Sequence, residues 1–279
     1  MRTNDTTIFI AGAGHSGSTL LGLLLGSHPD AFYIGEGAKT RFLGDARKPE
    51  HKRVCKLCGP DCEVWGDFAV APSPDLYEQV SRRTGRRRII DSTKNLEWLA
   101  QQVSSVRRHG GQPALIFLVR DGRAVINSRV RKYPDRAPEE LIRSWMERMV
   151  QTEMFFQAFV GPKCRVRYEQ LATDPEGTLS TACAALGIPY ESGMLDFTRG
   201  PHHVLGGNNG TQWQVARTMS SSFVKLGART RPYYADHPKG IVLDLRWVDE
   251  LSAEVLALFE TIAGAQNADL AWQPEREAS

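Results

Sequence analysis

Short apolar runs separated by glycine-rich turns recur along the first two thirds of the chain. Residues 8–11 predict a buried strand, a glycine-rich turn follows them, and five leucines between residues 20 and 25 predict a buried helix. The nearly continuous apolar run at 114–119 is typical of a central strand that is covered on both faces. Three more strands are predicted, at 31–34, 87–91 and 164–168. This alternation indicates an α/β fold in which helices flank a parallel sheet.

Helical patterns lie between these strands and near the end of the chain. An amphipathic pattern from Pro138 to Phe159 predicts one long helix, because its apolar residues recur on one face. Ser92 is placed to cap the helix that follows the third strand, and Asp121 is placed to cap the one after the central strand. Residues 243–262 predict a further helix.

Two segments lack a periodic pattern, and we interpret both as additions to a single domain that spans residues 1–279. Residues 44–75 are rich in proline, glycine and aspartate, and they predict an irregular insertion that contains cysteines. Residues 200–240 include a glycine- and asparagine-rich stretch, and 211–240 show no clear element. A stretch of this length predicts a lid or substrate loop near the C-terminal end of the domain.

The composition is that of an ordinary globular protein, since 41% of the 279 residues are hydrophobic and 24% are charged. The net charge of +3 is too small to indicate a nucleic-acid partner. No apolar run is long enough to cross a membrane, and the N-terminus shows no signal-peptide pattern, so we expect a cytoplasmic protein. A homodimer is compatible with the sequence, although no pattern indicates one.

The turn between the first strand and the first helix has the glycine spacing of a phosphate-binding loop. Gly12 and Gly17 match the glycines of Gly-x-x-x-x-Gly-Lys-Ser/Thr, and Thr19 matches its hydroxyl. Ser18 replaces the lysine that nucleotide triphosphatases use on the terminal phosphates. The motif predicts a P-loop-like fold with a cradle for one phosphate or sulfate, because backbone amides and the positive end of a helix converge there. The alternative is a glycine-rich turn that binds nothing.

Charged residues follow three other predicted strands, at the end where parallel sheets open towards ligands. Arg120 and Ser128 come after the central strand, and an arginine fork with a serine hydroxyl suits a second phosphate group. An ion pair with Asp121 is the alternative for Arg120. Glu36 lies between two glycines after the second strand, where a surface turn is the alternative, and Lys94 follows the third strand.

The irregular insertion contains His51, Cys55, Cys58 and Cys62, which are side chains that bind zinc in structural sites. Their spacing is much tighter than in the usual zinc modules, so free thiols and a local disulfide are the alternatives. The chain has five cysteines, an odd number, and a disulfide framework is not expected in a reducing compartment.

These motifs resemble those of the sulfotransferase family, which uses 3'-phosphoadenosine 5'-phosphosulfate (PAPS) as its sulfate donor. The likeness is closest to the carbohydrate and tyrosylprotein branch of the family and to its small bacterial members. It spans roughly residues 6–260 in fold order. The segments that carry it are 16–21, 120–128, 167–176, 206–208 and 243–247.

The resemblance implies that the chain binds PAPS and releases adenosine 3',5'-bisphosphate (PAP). In the family the glycine-rich loop holds the 5'-phosphosulfate, and the arginine–serine segment holds the 3'-phosphate. Many relatives carry arginine or lysine at the position of His15. The implied donor contacts are Gly14, His15, Ser16, Gly17, Ser18, Thr19, Leu20, Arg120, Ser128, Lys132, Tyr168 and Asn208.

The implied reaction transfers a sulfuryl group to an acceptor hydroxyl of a saccharide, a glycolipid or a small natural product. Charge builds on the bridging oxygen of the departing PAP, and Lys94, with His15 beside it, is our candidate for stabilising that charge. By resemblance to the tyrosylprotein and glycosaminoglycan branch, Glu36 is the base that takes the hydroxyl proton. His202 and His203 are the alternatives, although paired loop histidines are more often exposed. No catalytic metal is required, because arginines, lysine and amides can meet the donor's charge.

Two other functions compete with this one. A P-loop kinase would need magnesium and normally the lysine that the loop lacks. A non-catalytic nucleotide-binding module would bind the nucleotide and modify nothing. The predicted site for an additional 3'-phosphate favours the sulfotransferase over both.

Overall fold

The computed structural model of the protein describes residues 1–219, 221, 223–228, 230–235 and 240–273. Within them, five parallel strands form one sheet: β1 Thr6–Gly12, β2 Ala31–Tyr33, β3 Arg88–Asp91, β4 Gln112–Val119 and β5 Lys163–Arg167. Their order across the sheet is β2-β3-β1-β4-β5, so the strand before the glycine-rich loop is central. All four pairings are parallel, which confirms the predicted α/β fold with a parallel sheet.

Helices connect and surround the strands, as parallel pairing requires. In chain order they are α1 Ser18–Gly26, α2 Glu50–Arg53, α3 Leu76–Thr84, α4 Leu96–Arg108, α5 Gly122–Lys132, α6 Pro138–Ala158, α7 Tyr168–Thr173, α8 Pro175–Leu186, α9 Asn209–Thr218, α10 Arg231–Ala235, α11 Trp247–Glu250 and α12 Ala253–Asn267. Short 3₁₀ helices span Gly37–Phe42, Ser192–Leu195 and Ala268–Leu270.

The strand β4 shows that both faces of the sheet are covered. Its last four side chains alternate: Ile116 and Leu118 pack into a large cluster with β1, α1 and α4, whereas Phe117 and Val119 pack into a second cluster with α5, α6 and α12. Successive strand residues point to opposite faces, so the two clusters lie on opposite sides of the sheet. Because both faces of β4 are buried, its sequence is a nearly continuous apolar run.

The prediction that Ser92 caps α4 is wrong. The side chain of Asn95 caps this helix, and its oxygen accepts a hydrogen bond of 2.8 Å from the N–H of Trp98. The hydroxyl of Ser92 instead lies 2.7 Å from that of Tyr33, on the neighbouring strand β2. Ser92 therefore ties two strand ends together, and the helix begins three residues later than its position suggested.

The segments expected to be irregular contain more structure than their composition indicated. Residues 44–75 include the short helix α2, and several of their side chains belong to the large core cluster: Cys55, Leu57, Cys62, Val64 and Trp65. Residues 211–240 include most of α9 and all of α10, so the expectation of no clear element there is wrong. The single helix expected over 243–262 is replaced by α11 and α12, with α12 capped by Ser252. In the described part of the chain, no helix combines the length and the apolar character needed to span a bilayer.

Candidate active site

A cavity of about 1230 Å³ lies at the edge of the sheet where the central strands end. Its lining takes Glu36 from the turn after β2, Lys94 from the turn after β3 and Arg120 from the end of β4. Parallel sheets offer this edge to ligands, because loops and helix N-termini converge there. The cavity is also lined by most of the donor contacts expected from the sequence: Gly14, His15, Gly17, Ser18, Thr19, Leu20, Arg120, Ser128, Lys132, Tyr168 and Asn208.

The loop between β1 and α1 has the backbone of an anion cradle. Gly17 caps α1 with a left-handed backbone, φ +93°, and a Cβ at this position would lie 2.7 Å from a ring carbon of Tyr168. Glycine is therefore required on two counts, conformation and space. The first N–H groups of α1, from Ser18 onward, have no acceptor within the helix, so they and the positive helix end are available to an anion.

Ser16 is the one expected donor contact that is not part of the cavity lining. Its side chain is buried, and its Oγ has no hydrogen-bond partner among the residues that the structure describes. A buried hydroxyl without a partner is costly unless another group satisfies it. The sequence motif thus brings Ser16 to the cradle without bringing its hydroxyl to the cavity surface.

His15 adopts a left-handed backbone, φ +74°, and lies among positive charges. Burial is the main cause that lowers the pKa of His15 to about 3, and four neighbouring cations act in the same direction: Lys132, Arg129, Arg120 and Lys94. The imidazole is therefore neutral at pH 7 in the free protein. It does not supply a fixed positive charge, but the surrounding cations make the cavity attractive to an anion.

Arg120 joins the glycine-rich loop to the C-terminal part of the chain. Its Nη1 donates a 3.0 Å hydrogen bond to the carbonyl oxygen of His15, and its Nη2 donates one of 3.0 Å to the carbonyl oxygen of Asp244. The guanidinium stacks on the ring of Tyr168 at 4.1 Å and lies 3.3 Å from the Asp244 carboxylate. Its buried Nε has no hydrogen-bond partner among the described residues.

The alternative ion pair between Arg120 and Asp121 is not formed. Asp121 caps α5 by accepting a 2.9 Å hydrogen bond from the N–H of Arg123, and its carboxylate pairs with the Arg123 guanidinium at 2.6 Å. The two adjacent residues therefore point in different directions. Asp121 stabilises the helix start, and Arg120 is left to the cavity.

Glu36 and Lys94 line the same cavity from neighbouring strand ends. The Lys94 ammonium donates to the carbonyl oxygen of Ser92, and burial lowers its pKa, against the opposing effect of Glu36 and Asp91. The Glu36 carboxylate is 28% exposed and lies 3.8 Å from the ammonium of Lys39. One carboxylate and one half-buried ammonium are thus available beside the cradle, which is the pair that proton removal and leaving-group stabilisation need.

The glycine–glycine–asparagine segment 206–208 is hydrogen-bonded to the start of α1, directly after the glycine-rich loop. The N–H of Asn208 donates a 2.9 Å hydrogen bond to Oγ1 of Thr19. The side chain of Asn208 caps α9 by accepting from the N–H of Thr211 at 3.0 Å. Residues 189 positions apart therefore meet at the cradle, which places α9 over the cavity rim.

The two histidines considered as alternative bases do not line the cavity, and the expectation that they are exposed is wrong. Nε2 of His202 lies 2.8 Å from the carbonyl oxygen of Phe197. His203 lies among the cysteines of the insertion, with its Nδ1 3.3 Å from the sulfur atoms of both Cys58 and Cys62. Neither imidazole is placed to take a proton from a ligand in the cavity.

The cysteine cluster forms, but with a different histidine from the one expected. Ligand atoms of Cys55, Cys58, Cys62 and His203 all lie within 4.8 Å of one another. His51 belongs to the exposed helix α2 and is not part of this group. The pairing of the cysteines with His203 joins segments more than 140 residues apart, so the local spacing in the sequence gave no sign of it.

Several cavity residues were missed by the sequence interpretation. Asp244 and Arg246 form an ion pair of 2.7 Å, and Arg246 lies 3.4 Å from the ring centroid of Tyr233. Both charged residues belong to the segment 243–247, whose likeness to a known motif was noted without a role. Arg129 also lines the cavity, beside Arg131 and Lys132 in a run of basic residues.

Comparisons with known proteins bear on the whole chain. A profile described as the sulfotransferase family matches residues 7–192, which is more than half of the sequence. The sulfotransferase domain of the Synechococcus PCC 7002 olefin synthase is 21% identical, with a TM-score of 0.57 over 94% of this chain and 96% of that domain. The sulfotransferase domain from the curacin biosynthetic pathway is 16% identical, with a TM-score of 0.55 over 93% of this chain and 98% of that domain. No curated protein matches the chain in sequence.

At these low identities the two solved domains show the fold, which confirms the P-loop-like arrangement expected from the glycine-rich loop. The profile match shows the family, and it confirms the resemblance drawn from the motifs. The chain therefore belongs to the sulfotransferase family, and its reaction is the transfer of a sulfuryl group.

Proposed function

We propose that the cavity holds PAPS with its 5'-phosphosulfate on the loop Gly14–Thr19 and its 3'-phosphate at Arg120 and Ser128. The observation that carries the proposal is the 3.0 Å hydrogen bond from Arg120 to the carbonyl oxygen of His15. It brings the arginine against the backbone of the loop, so two sites for anions lie side by side in one cavity. A nucleoside with phosphates at both its 3' and 5' positions is the ligand that uses both.

In the free protein the Asp244 carboxylate forms an ion pair with the Arg120 guanidinium at 3.3 Å. We infer that the 3'-phosphate replaces the carboxylate in this contact. The carboxylate keeps a second partner, because it also pairs with Arg246 at 2.7 Å. A dianionic phosphate makes stronger charge-assisted hydrogen bonds with a guanidinium than a carboxylate does. The exchange would couple donor binding to the segment around Asp244, which follows the proposed lid.

The reaction joins the acceptor oxygen to sulfur while the bond from sulfur to the bridging phosphate oxygen breaks. Negative charge then builds on that bridging oxygen, and we assign Lys94 to stabilise it, with the amides of the glycine-rich loop. Glu36 accepts the proton of the acceptor hydroxyl as the new bond forms. The neutral imidazole of His15 takes a supporting role, as a hydrogen-bond donor to the phosphate.

The acceptor enters the same cavity in this proposal. The volume of about 1230 Å³ exceeds the roughly 300–1,000 Å³ of an ordinary ligand pocket, which leaves room for donor and acceptor together. The part of the lining that the donor does not use combines Tyr133, Pro134 and Leu141 with Arg131 and Arg136. Ring faces beside basic groups suit a hydroxylated acceptor, namely a saccharide, a glycolipid or a small natural product.

We propose that no catalytic metal takes part, because lysine, arginine and backbone amides meet the donor's charge. The experiment combines PAPS, a panel of hydroxylated acceptors and a chelator, and follows products by mass spectrometry. We expect a donor-dependent gain of one sulfuryl group on at least one acceptor class, with the chelator present. ATP with magnesium should give no phosphorylated product.

Two results would contradict this function. Phosphoryl transfer from ATP that requires magnesium, without transfer from PAPS, would select the kinase. Tight PAP binding without modification of any acceptor class would select the non-catalytic module. The predicted cytoplasmic location and the compatibility with a homodimer stay predictions of the sequence.

A further inference from the structure

A cluster of reactive side chains lies outside the cavity, where the insertion meets the segment after the 3₁₀ helix Ser192–Leu195. It consists of Cys55, Cys58, Cys62 and His203, and its four ligand atoms lie within 4.8 Å of one another. Cys55, Cys62 and His203 are buried and Cys58 is half-buried. Three sulfur atoms and one imidazole nitrogen form a complete ligand set for structural zinc, which prefers four such ligands in a tetrahedron.

The spacing of these atoms is close to that of a zinc site. Nδ1 of His203 lies 3.3 Å from Sγ of Cys58 and 3.3 Å from Sγ of Cys62. A tetrahedral zinc ion with ordinary Zn–S and Zn–N bonds separates its nitrogen and sulfur ligands by about 3.6 Å. These two distances are about 0.3 Å shorter than in such a site, and all four ligand atoms lie within 4.8 Å of one another, so small movements of the side chains would seat the ion. The N–H of Cys58 also points at Sγ of Cys55, at 3.4 Å, and such a donor favours the thiolate form that zinc requires.

The surroundings of His203 are those of a metal ligand. Its other ring nitrogen, Nε2, lies 3.2 Å from a carboxylate oxygen of Glu63. A histidine that binds a metal usually donates its second N–H to a carboxylate, because this bond orients the ring and selects the tautomer. Here it leaves Nδ1 as the free lone pair, on the side of the sulfur atoms. The ring also stacks on Phe32, with 17° between their planes, and Trp65 donates a 2.6 Å hydrogen bond to the His203 carbonyl oxygen.

We propose that Cys55, Cys58, Cys62 and His203 bind one Zn²⁺ ion in a closed structural site. Binding releases the thiol protons, and three thiolates with a neutral imidazole then fill all four positions on the ion. No position is left for a water nucleophile, so the role is structural. The tight cysteine spacing, which argued against a zinc module built from the insertion alone, is explained because the fourth ligand comes from a distant segment.

The ion would hold the insertion against the segment that supports Glu36. The N–H of Lys56 donates to the carbonyl oxygen of Val204 at 2.8 Å, next to the zinc ligand His203. The following residue, Leu205, accepts a 2.7 Å hydrogen bond from the N–H of Glu36 and donates one of 2.9 Å to Ile34. Zinc binding therefore fixes the backbone partner of Glu36. This consequence, unlike zinc binding itself, rests on the proposed role of Glu36.

The test is the metal content of the purified full chain, prepared without a metal-binding tag and dialysed. We expect one equivalent of zinc per chain in the native protein and its loss in Cys58→Ser and His203→Ala. Two matched controls, His51→Ala and Cys164→Ser, should keep the full equivalent, because His51 lies in exposed α2 and Cys164 lies in β5. The zinc content does not depend on the enzyme's activity, so this test stays valid even if the proposed reaction is wrong.

A second variant covers the case in which the ligand variants do not fold. His203→Cys keeps four ligands and should retain zinc, and in the cobalt-substituted protein its visible absorption should differ from that of the native site as thiolate replaces imidazole. A native chain that neither contains zinc nor takes it up on titration overturns the proposal. So does a disulfide between two of the three cysteines, or loss of zinc from His51→Ala.

Discussion

Replacing Glu36 with glutamine should lower kcat by roughly 10²–10⁴-fold, the usual contribution of a positioned general base. The amide has nearly the same shape as the carboxylate and cannot accept the hydroxyl proton at neutral pH. The hydrogen bond from the Glu36 N–H to Leu205 does not involve the side chain, so the fold should survive. The measurement is the steady-state rate with a fixed acceptor, together with the affinity for PAP.

The affinity for PAP should change little in this variant, because Glu36 is assigned to the acceptor and not to the donor. Glu97→Gln is the matched control, since Glu97 is exposed at the start of α4 and is not part of the cavity lining. It should keep the native rate. Near-normal turnover in Glu36→Gln with intact PAP binding would remove Glu36 from the role of base. With His202 and His203 turned away from the cavity, the proton would then need a solvent acceptor.

Replacing Lys94 with methionine should lower kcat by roughly 10²–10³-fold, which is the typical cost of removing one donor aimed at developing charge. The KM for PAPS should rise much less, because the interaction strengthens only as the bridging oxygen gains charge. Methionine is close in length and suits the half-buried site, where desolvation already lowers the pKa of the Lys94 ammonium. Steady-state kinetics with PAPS as the varied substrate separates the two constants.

Lys52→Met serves as the control for this substitution, because Lys52 is exposed in α2 and is not part of the cavity lining. It should leave both constants unchanged. A Lys94→Met variant that loses only PAPS affinity, with kcat preserved, would make Lys94 a residue that binds the ground state. The assignment to the leaving group would then be wrong.

The parts of the site that the sequence predicted are those that a strand and its following turn specify locally. The glycine-rich loop follows β1 at once, and its glycines are required by backbone conformation at Gly17. Arg120 directly follows β4, and Ser128 lies on the helix that begins two residues after Arg120, so a short range of the chain fixes both. Parallel pairing of the strands is then sufficient to bring the turns that follow them to the same edge of the sheet.

The parts that were missed depend on contacts between distant segments. His203 was expected to be exposed, but it packs on Phe32 and faces cysteines about 140 residues before it in the chain. Ser92 had the right chemistry for a helix cap, but its hydroxyl forms a hydrogen bond with that of Tyr33 in β2 instead. Asp244 reaches Arg120 across 124 residues. No periodic pattern in one sequence records such pairings.

The helix α9 is a different case, because a local signal was present. Asn208 is a favourable helix cap, and it stands just before a stretch in which Val215 and Ala216 become buried. The glycine and asparagine residues ahead of it suggested a loop, and the cap that ended the loop was overlooked. Tertiary contacts with Thr19 then hold the helix start at the cavity.

We propose that one cavity binds both phosphate groups of a nucleoside 3',5'-bisphosphate. Calorimetric measurement of the affinities for PAP and for adenosine 5'-phosphate tests this directly. The native chain should prefer PAP by about tenfold to a hundredfold, the value of hydrogen bonds from a charged group to the added 3'-phosphate. In Arg120→Met that preference should nearly vanish, whereas Arg143→Met, on the exposed side of α6, should keep it. Equal native affinity for both nucleotides, or a preference for PAP that Arg120→Met leaves intact, would contradict the account.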